Sequence, residues 1–483
     1  MTLRVRTPSS WLATQSALAE RTIVAVLTLF GGALRAHNIG SKSLWYDEAV
    51  VFWISRVDLF SIVARNAQSN SAPPLYVFLV HLVGQIATNE AMLRSISWLA
   101  GTLAVPAVYF LCARYVSKPA ALASTTVFVI TPVYVEYSQE LREYSLAFLL
   151  SALILLAYGG FREKASWKNL AFVVASFCLG VFTQYGLGLL ILSLNLAFLA
   201  EVEWFRKDRT SLVRWVLGQG IVLLSVALVW SSTLRYQFSS GGFGHVARGY
   251  FEGPFTSLPA FLFRQSYELV LFAFPDPPPV ILLVGTAIIA VGVAGGRVLR
   301  RSAHLFVPFL VAAAAGIGRF YPYVGARQGI YLFPIFCILI AMGFEYLFRA
   351  DRKRIVPILL ALLVMRAALL PTLGYLRSEG IEDLKPLALQ LDSLIQPGDR
   401  VFVCNGAMPA FQYYYRGDPG QVVEGSGAEM WQEQLSTLLE SPRRVWLVIT
   451  HCGDPQTYVR FAEERRPVEE SGSSSQAWLY LSP

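Results

Sequence analysis

The stretch PPLYVFLVHLVGQI (73–86) decides how the chain is folded. Counted as a membrane span, it would put every later loop on the opposite side. Left out of the count, it lets one alternate set of short loops collect 15 basic residues. These are Arg114 and Lys118; Arg162, Lys164 and Lys168; Arg206, Lys207 and Arg209; Arg297, Arg300 and Arg301; and Arg349, Arg352, Lys353 and Arg354. Lys and Arg in short loops stay on the cytoplasmic side, and that bias sets orientation. The stretch therefore reads as an interfacial or partly inserted helix, inside a long outer loop, residues 40–93.

Around it, eleven apolar runs approach the about 20 residues that cross a bilayer. They lie near 22–39, 94–113, 119–134, 145–160, 169–184, 186–203, 211–231, 279–297, 304–318, 329–348 and 355–371. The first follows Arg4, Arg6 and Arg21 and reads as an uncleaved signal anchor. With the N-terminus cytoplasmic, eleven spans put the C-terminus on the outer side. A second outer loop, 232–278, is rich in Gly, Pro and aromatic residues.

Composition agrees. Of 483 residues, 55% are hydrophobic and 15% charged, against roughly 25% charged in an ordinary soluble protein, and mean hydropathy is +0.49. This excludes a disordered chain and a small disulfide scaffold, and it argues against a wholly soluble enzyme. Residues 1–376 carry net charge +14 and residues 377–483 carry −6. The basic residues punctuate apolar runs rather than form a nucleic-acid face, so no nucleic-acid partner is expected.

Residues 377–483 read differently. VFVC (401–404), VWLVIT (445–450) and AWLYL (477–481) are strand-like, with amphipathic stretches at 382–396, 428–441 and 455–465. Helix and strand alternate, which predicts a small α/β domain without a Gly-rich phosphate loop. The expected fold is a polytopic all-α membrane protein of about 11 transmembrane helices, residues 1–376, followed by this outer-side α/β domain. Cys112, Cys178 and Cys337 lie in apolar runs and read as core residues. Cys404 and Cys452 each follow a predicted strand, as a disulfide or as two separate buried thiols.

Residues able to carry chemistry fall on the outer side. SLWYDEAVVFW (43–53) places Asp47 and Glu48 side by side in an apolar helix. Either they complement the helix dipole at a solvated interface, or one is a general base, partly desolvated by Trp45, Tyr46 and Trp53. EYSQELREYSL (136–146) packs Glu136, Glu140, Arg142 and Glu143 between two apolar runs. Either this is a solvated turn, or Arg142 holds a phosphate, which suits a guanidinium. Arg319 and Arg327, in GRFYPYVGARQGIYLFP (318–334), lie outside against the positive-inside trend; they contact phospholipid headgroups or an anionic substrate. Gln184-Tyr185, Arg235, His245 and Arg248 read more readily as polar helix caps. Few acids lie within spans and no pair of broken spans marks a midplane site, which counts against a transporter.

SLWYDEA, SAPPLYVFLVHLVG, EAMLRSISWLAGTLAVPAVYFLCARY and VYVEYSQELREYSL, in that order, resemble the polyprenyl-phosphate-sugar-dependent glycosyltransferases of the GT-C superfamily. The branch they resemble is the bacterial relatives of protein O-mannosyltransferases and of the lipid A aminoarabinose transferase. The resemblance is strong over roughly 40–160, weaker at RQGIYLFPIFCILIAMG (327–343), and loose in the tail. It implies a multi-pass protein of the bacterial inner membrane with residues 377–483 periplasmic. It also implies inverting transfer of a hexose or pentose from a polyprenyl-phosphate-linked donor to a glycolipid, glycan or protein acceptor. On this resemblance Asp47 is the base and Glu48 its support, Glu140 and Arg142 match the family's outer E-x-R turn, and Arg327 matches its basic residue before the late Pro-containing span; Arg142 and Arg327 are then expected to bind the donor phosphate, with Arg319 a further candidate for it and Glu140, Tyr144 and Tyr185 as supporting residues. Two departures leave the substrate open: Ala72 stands where some relatives have Lys before the Pro-Pro, and Gln184 precedes Tyr185 where His or Tyr is common. No metal ligands are assigned and no cofactor is called; a divalent metal on paired acids, as in the more distant oligosaccharyltransferases, stays open without a clear Asp-x-Asp. A flippase of lipid-linked sugars, or a scaffold acting through its tail, are the alternatives.

Overall fold

A computed structural model describes residues 10–200, 209–239, 248–274, 280–281, 284–285, 302–351, 355–378, 380–425 and 430–483. The run expected at 279–297 lies almost entirely outside them, as do Arg206, Lys207, His245, Arg297, Arg300, Arg301 and Arg352 to Arg354. The chain forms two compact units. One comprises Met1–His37, Asn66–Tyr76 and Ser95–Leu376; the other comprises Asn38–Arg65, Val77–Arg94 and Arg377–Pro483. Most of the first outer loop therefore shares a unit with the tail.

The first unit is helical, and helices fall on the other ten apolar runs. Glu90–Cys112, Tyr144–Glu163, Arg209–Ser239, Arg327–Ala350 and Ile355–Arg377 are long and apolar enough to cross a membrane. Lys118–Ile130, Trp167–Thr183, Tyr185–Leu199 and Ala303–Ile317 are shorter apolar helices. Leu75–Gly84, with 10 residues, reaches only about 15 Å, half the about 30 Å of a bilayer core. The run at 119–134 is cut because Thr131 is extended before Pro132, which opens a new short helix, Pro132–Glu136. Gln184, also extended, separates Trp167–Thr183 from the helix beginning at Tyr185. Within this unit Trp215 stacks on Phe198, with ring centroids 4.5 Å apart, and meets Tyr158, Phe161 and Phe177 edge-on or tilted.

Among the described residues of the second unit five strands make one sheet: β1 (Arg400–Cys404), β2 (Val422–Gly425), β3 (Val445–Thr450), β4 (Glu469–Ser474) and β5 (Ala477–Ser482). Their order is β2-β1-β3-β5-β4. β1 runs parallel to β2 and β3, and β5 runs antiparallel to β3 and β4. β1 and β3 are almost wholly buried, as their unbroken apolar runs require. The Sγ atoms of Cys404 and Cys452 are bonded, with Cα atoms 6.4 Å apart, joining the ends of these two neighbouring strands.

Candidate functional site

In the second unit Asp47 lies in the first turn of the helix Tyr46–Ser55 and is half-buried. Glu48 beside it is fully buried and accepts two hydrogen bonds from Arg94, Nε at 2.8 Å and Nη2 at 2.6 Å. Arg94 also donates to the carbonyls of Ile39, Lys42 and Ser43 at 2.9 Å. One guanidinium thus ties the incoming chain to Glu48, whose carboxylate accepts from the Trp45 amide at 3.3 Å. The adjacent acids have different surroundings: Glu48 is an anchor, and Asp47 stands one position around the helix, about 100° away.

The tail grips the same helix. Tyr46 N donates to Glu382 Oε2 at 3.0 Å, and the Tyr46 ring stacks on His451 with centroids 4.5 Å apart. His451 Nδ1 meets the other oxygen of Glu382 at 2.5 Å. Trp53 Nε1 donates to Pro409 O at 2.9 Å. Leu44 N donates to Tyr414 Oη at 2.7 Å, and Glu90 holds Lys385 Nζ at 2.7 Å. Burial pushes the Tyr414 phenol well above its ordinary pKa, so it stays neutral in this network. Tyr46 and Trp53, the aromatic neighbours of Asp47, both engage the tail.

In the first unit the E-x-R turn, Glu140-Leu141-Arg142, is buried rather than solvated. Glu140 is 7%, Arg142 6% and Glu143 3% exposed. Irregular backbone is tolerated at such depth only when packed inside protein with its polar groups satisfied. Ser97 Oγ donates to Arg142 O at 2.9 Å and itself meets Tyr76 Oη at 2.7 Å. Arg142 Nε lies 3.3 Å from Glu143 Oε2. The guanidinium carbons of Arg142 and Arg327 lie 5.5 and 5.7 Å from the centre of the Tyr144 ring. Two cations 185 positions apart in sequence thus meet on one buried phenol, within the distance at which a ring attracts a cation. Gln184 Nε2 reaches Arg327 O at 3.5 Å.

Arg319 does not join them: it is exposed and paired with Glu252. Tyr185 points elsewhere as well. Its hydroxyl donates to Gln237 Oε1 at 2.6 Å, and Gln237 Nε2 reaches the carbonyls of Asn66 and Ala72 at 3.3 and 3.4 Å. Tyr185 therefore fastens the start of the Pro-Pro segment. Among the described residues no group of three or more His, Cys, Asp or Glu is placed to hold a metal ion.

Arg94 and Arg35 have no role in the sequence reading, although a charge inside an apolar run is a signal. Arg35, fully buried, donates through Nε to Ser138 Oγ at 3.2 Å and through Nη1 to Val129 O at 3.2 Å. Gln139 Nε2 donates to the carbonyls of Arg35 and His37 at 3.0 and 2.8 Å. The end of the helix Ser10–Ala36 is thereby tied to the turn that carries Glu140 and Arg142.

Residues 71–230 match the family model described as Dolichyl-phosphate-mannose-protein mannosyltransferase. No curated protein sequence matches the chain. Among solved structures, ArnT from Cupriavidus metallidurans is similar in its apo state (TM-score 0.55, 11% identity, 97% of this chain and 98% of that one). The same protein bound to undecaprenyl phosphate is also similar (TM-score 0.56, 13% identity, 98% of each chain). The Archaeoglobus fulgidus oligosaccharyltransferase tethered to an acceptor peptide with an NVT sequon has a TM-score of 0.52 at 13% identity, over 96% of this chain and 74% of that one. The chain thus shares the overall fold of these solved structures, and its residues 71–230 are similar to the mannosyltransferase family model.

Proposed function

We propose that the protein is an inverting glycosyltransferase that moves a sugar from a polyprenyl-phosphate donor to an envelope acceptor. It works on the outer face of the bacterial inner membrane, with its N-terminus cytoplasmic and residues 377–483 outside. The observation that carries this is the meeting of Arg142 and Arg327 on the buried Tyr144 ring. A pair of guanidinium groups held on one buried surface suits a phosphate monoanion or dianion. The solved ArnT complex with undecaprenyl phosphate supports a polyprenyl phosphate as the lipid.

The chemistry needs few parts. A lipid phosphate is already a competent leaving group, so no nucleotide is required. Asp47 accepts the proton of the acceptor hydroxyl as its oxygen bonds to the anomeric carbon. The bond from that carbon to the phosphate oxygen breaks on the opposite face, so configuration inverts. The electron pair leaves on the phosphate, whose growing charge Arg142 and Arg327 stabilise. Glu48 acts through position, holding the first helical turn by way of Arg94. Donor and acceptor share one membrane surface, which supplies proximity.

The test uses the full chain reconstituted in lipid vesicles with a radiolabelled polyprenyl-phosphate sugar and envelope glycolipid extract. Label should pass to the acceptor fraction. Asp47→Asn should still bind undecaprenyl phosphate while transfer falls about 10²–10⁴-fold. Transfer by Asp47→Asn at the wild-type rate sinks the assignment of the base.

A further inference from the structure

An open cleft of about 470 Å³ lies in the second unit and is lined by residues from the tail and from the helix that bears Asp47. It opens at the carboxyl ends of the parallel strands. Asn405 and Gly406 follow β1, Gly425 ends β2, and His451 and Cys452 follow β3. From β1 the chain moves outward to β2, then back past β1 to β3. Such reversals are where α/β sheets form ligand crevices, outside the carboxyl ends of their strands. The volume falls within the roughly 300–1,000 Å³ of small-molecule sites.

The lining has a specific chemistry. Trp431 and Tyr458 tilt together with ring centroids 4.3 Å apart, and Tyr46 stacks on His451 at 4.5 Å, so two aromatic pairs face one space. Asn405 and His451 bring hydrogen-bonding groups. Among the described residues that line the cleft none is Lys, Arg, Asp or Glu, and the tail as a whole is net negative. A phosphate or other anion finds no Lys or Arg among those residues to pair with. The base of the cleft is fixed by the Cys404–Cys452 bond and by Gly406 N, which donates to Cys452 Sγ at 3.1 Å. A Cβ on Gly406 would lie 2.3 Å from His451 O, and one on Gly425 would lie 2.4 Å from the Phe402 ring. Both positions need glycine for the strand ends to close this tightly.

A neutral ligand with one apolar face and a rim of hydroxyls meets these conditions, and a pyranose is such a ligand. We infer that this cleft is a sugar subsite that seats a neutral glycosyl unit of the acceptor beside the Asp47 helix. The role as acceptor site rests on the proposed transferase activity; sugar binding itself does not. Tyr46, in the cleft wall, immediately precedes Asp47 in the same helical turn. An occupied cleft therefore bears directly on the turn that carries the base.

The experiment is saturation-transfer NMR on the full chain in detergent, with methyl glycosides of glucose, mannose, galactose and N-acetylglucosamine as probes. Glucose 6-phosphate and undecaprenyl phosphate serve as anionic controls. At least one neutral glycoside should receive saturation. Asn405→Ala, at an exposed position, and Tyr458→Ala should weaken that binding about five- to tenfold, as loss of a hydrogen-bonding group or of one stacking ring predicts. Both variants should keep the Cys404–Cys452 bond on non-reducing gels and retain undecaprenyl phosphate binding. Asp47→Asn should leave glycoside binding unchanged. Binding that persists in a preparation without transferase activity would support the cleft and count against the transferase reading. The inference is overturned if no neutral glycoside binds, if glucose 6-phosphate binds more tightly than glucose, or if both folded variants bind as the wild type does.

Discussion

At the scale of residues, Glu48 and Asp47 show how one dipeptide divides two tasks. Glu48 is wholly buried against Arg94, whose guanidinium also holds three carbonyls of the incoming chain. Removing one partner of such a pair leaves a buried charge and costs about 3–5 kcal/mol. Arg94→Ala should therefore lower the melting temperature of the detergent-solubilised chain by several degrees, whereas Asp47→Asn should leave it nearly unchanged. Equal melting of Arg94→Ala and wild type would show that the pair is not structural. Arg142→Ala and Arg327→Ala should each weaken undecaprenyl phosphate binding at least about tenfold, because each removes a charge-assisted contact worth about 1.5–3 kcal/mol. Titration calorimetry reads this, and Arg319→Ala serves as a control because Arg319 is exposed on Glu252. The sequence marked Glu140 and Arg142 as candidates but left the turn either solvated or functional. Its burial comes from Ser97, Arg35 and Gln139, which are remote or apparently ordinary in sequence.

At the scale of elements, the three strands with apolar runs were legible, and β2 and β4 were not. VVEG and EESGSS are the two edges of the sheet. An edge strand pairs on one side only and can expose polar side chains, so no run of apolar residues announces it. β1 and β3 are pinned at their entry by Asp399. Arg444 donates to both its oxygens, at 3.0 and 2.7 Å, and Trp446 Nε1 donates at 3.0 Å. Burial works against the Asp399 carboxylate. The hydrogen bonds from Arg444 and Trp446 and the Arg444 charge outweigh it and hold the pKa below the usual range. A depressed carboxyl pKa contributes stability that is complete above the unfolded value, near 3.9, and is lost as pH falls through the folded value. Wild type should therefore melt higher than Asp399→Asn at neutral pH, and the gap should shrink below about pH 4. A gap that stays constant down to pH 3 would remove the ionised carboxylate from the account.

At the scale of the whole molecule, the apolar runs were legible because a membrane-type helix needs length and apolarity more than any motif. Membership of most of the first outer loop in the tail's unit was not. It depends on bonds such as Leu44 N to Tyr414 Oη, 370 positions apart, which no local window contains. The loop charges predict that reporter fusions after residues 205 and 350 report cytoplasm and a fusion after 400 reports the outer side. The Cys404–Cys452 bond fits that placement, because outer compartments are oxidising. A cytoplasmic signal at 400 would reverse the orientation and with it the mechanism. The central claim is that Asp47 drives sugar transfer to an envelope acceptor, and mass spectrometry of envelope glycolipids and glycans tests it most directly. Cells with the wild-type chain should carry a species one sugar residue heavier than cells lacking it, and cells with Asp47→Asn should match the cells lacking it. An envelope profile that is the same in all three strains, or an Asp47→Asn profile equal to wild type, would contradict the claim.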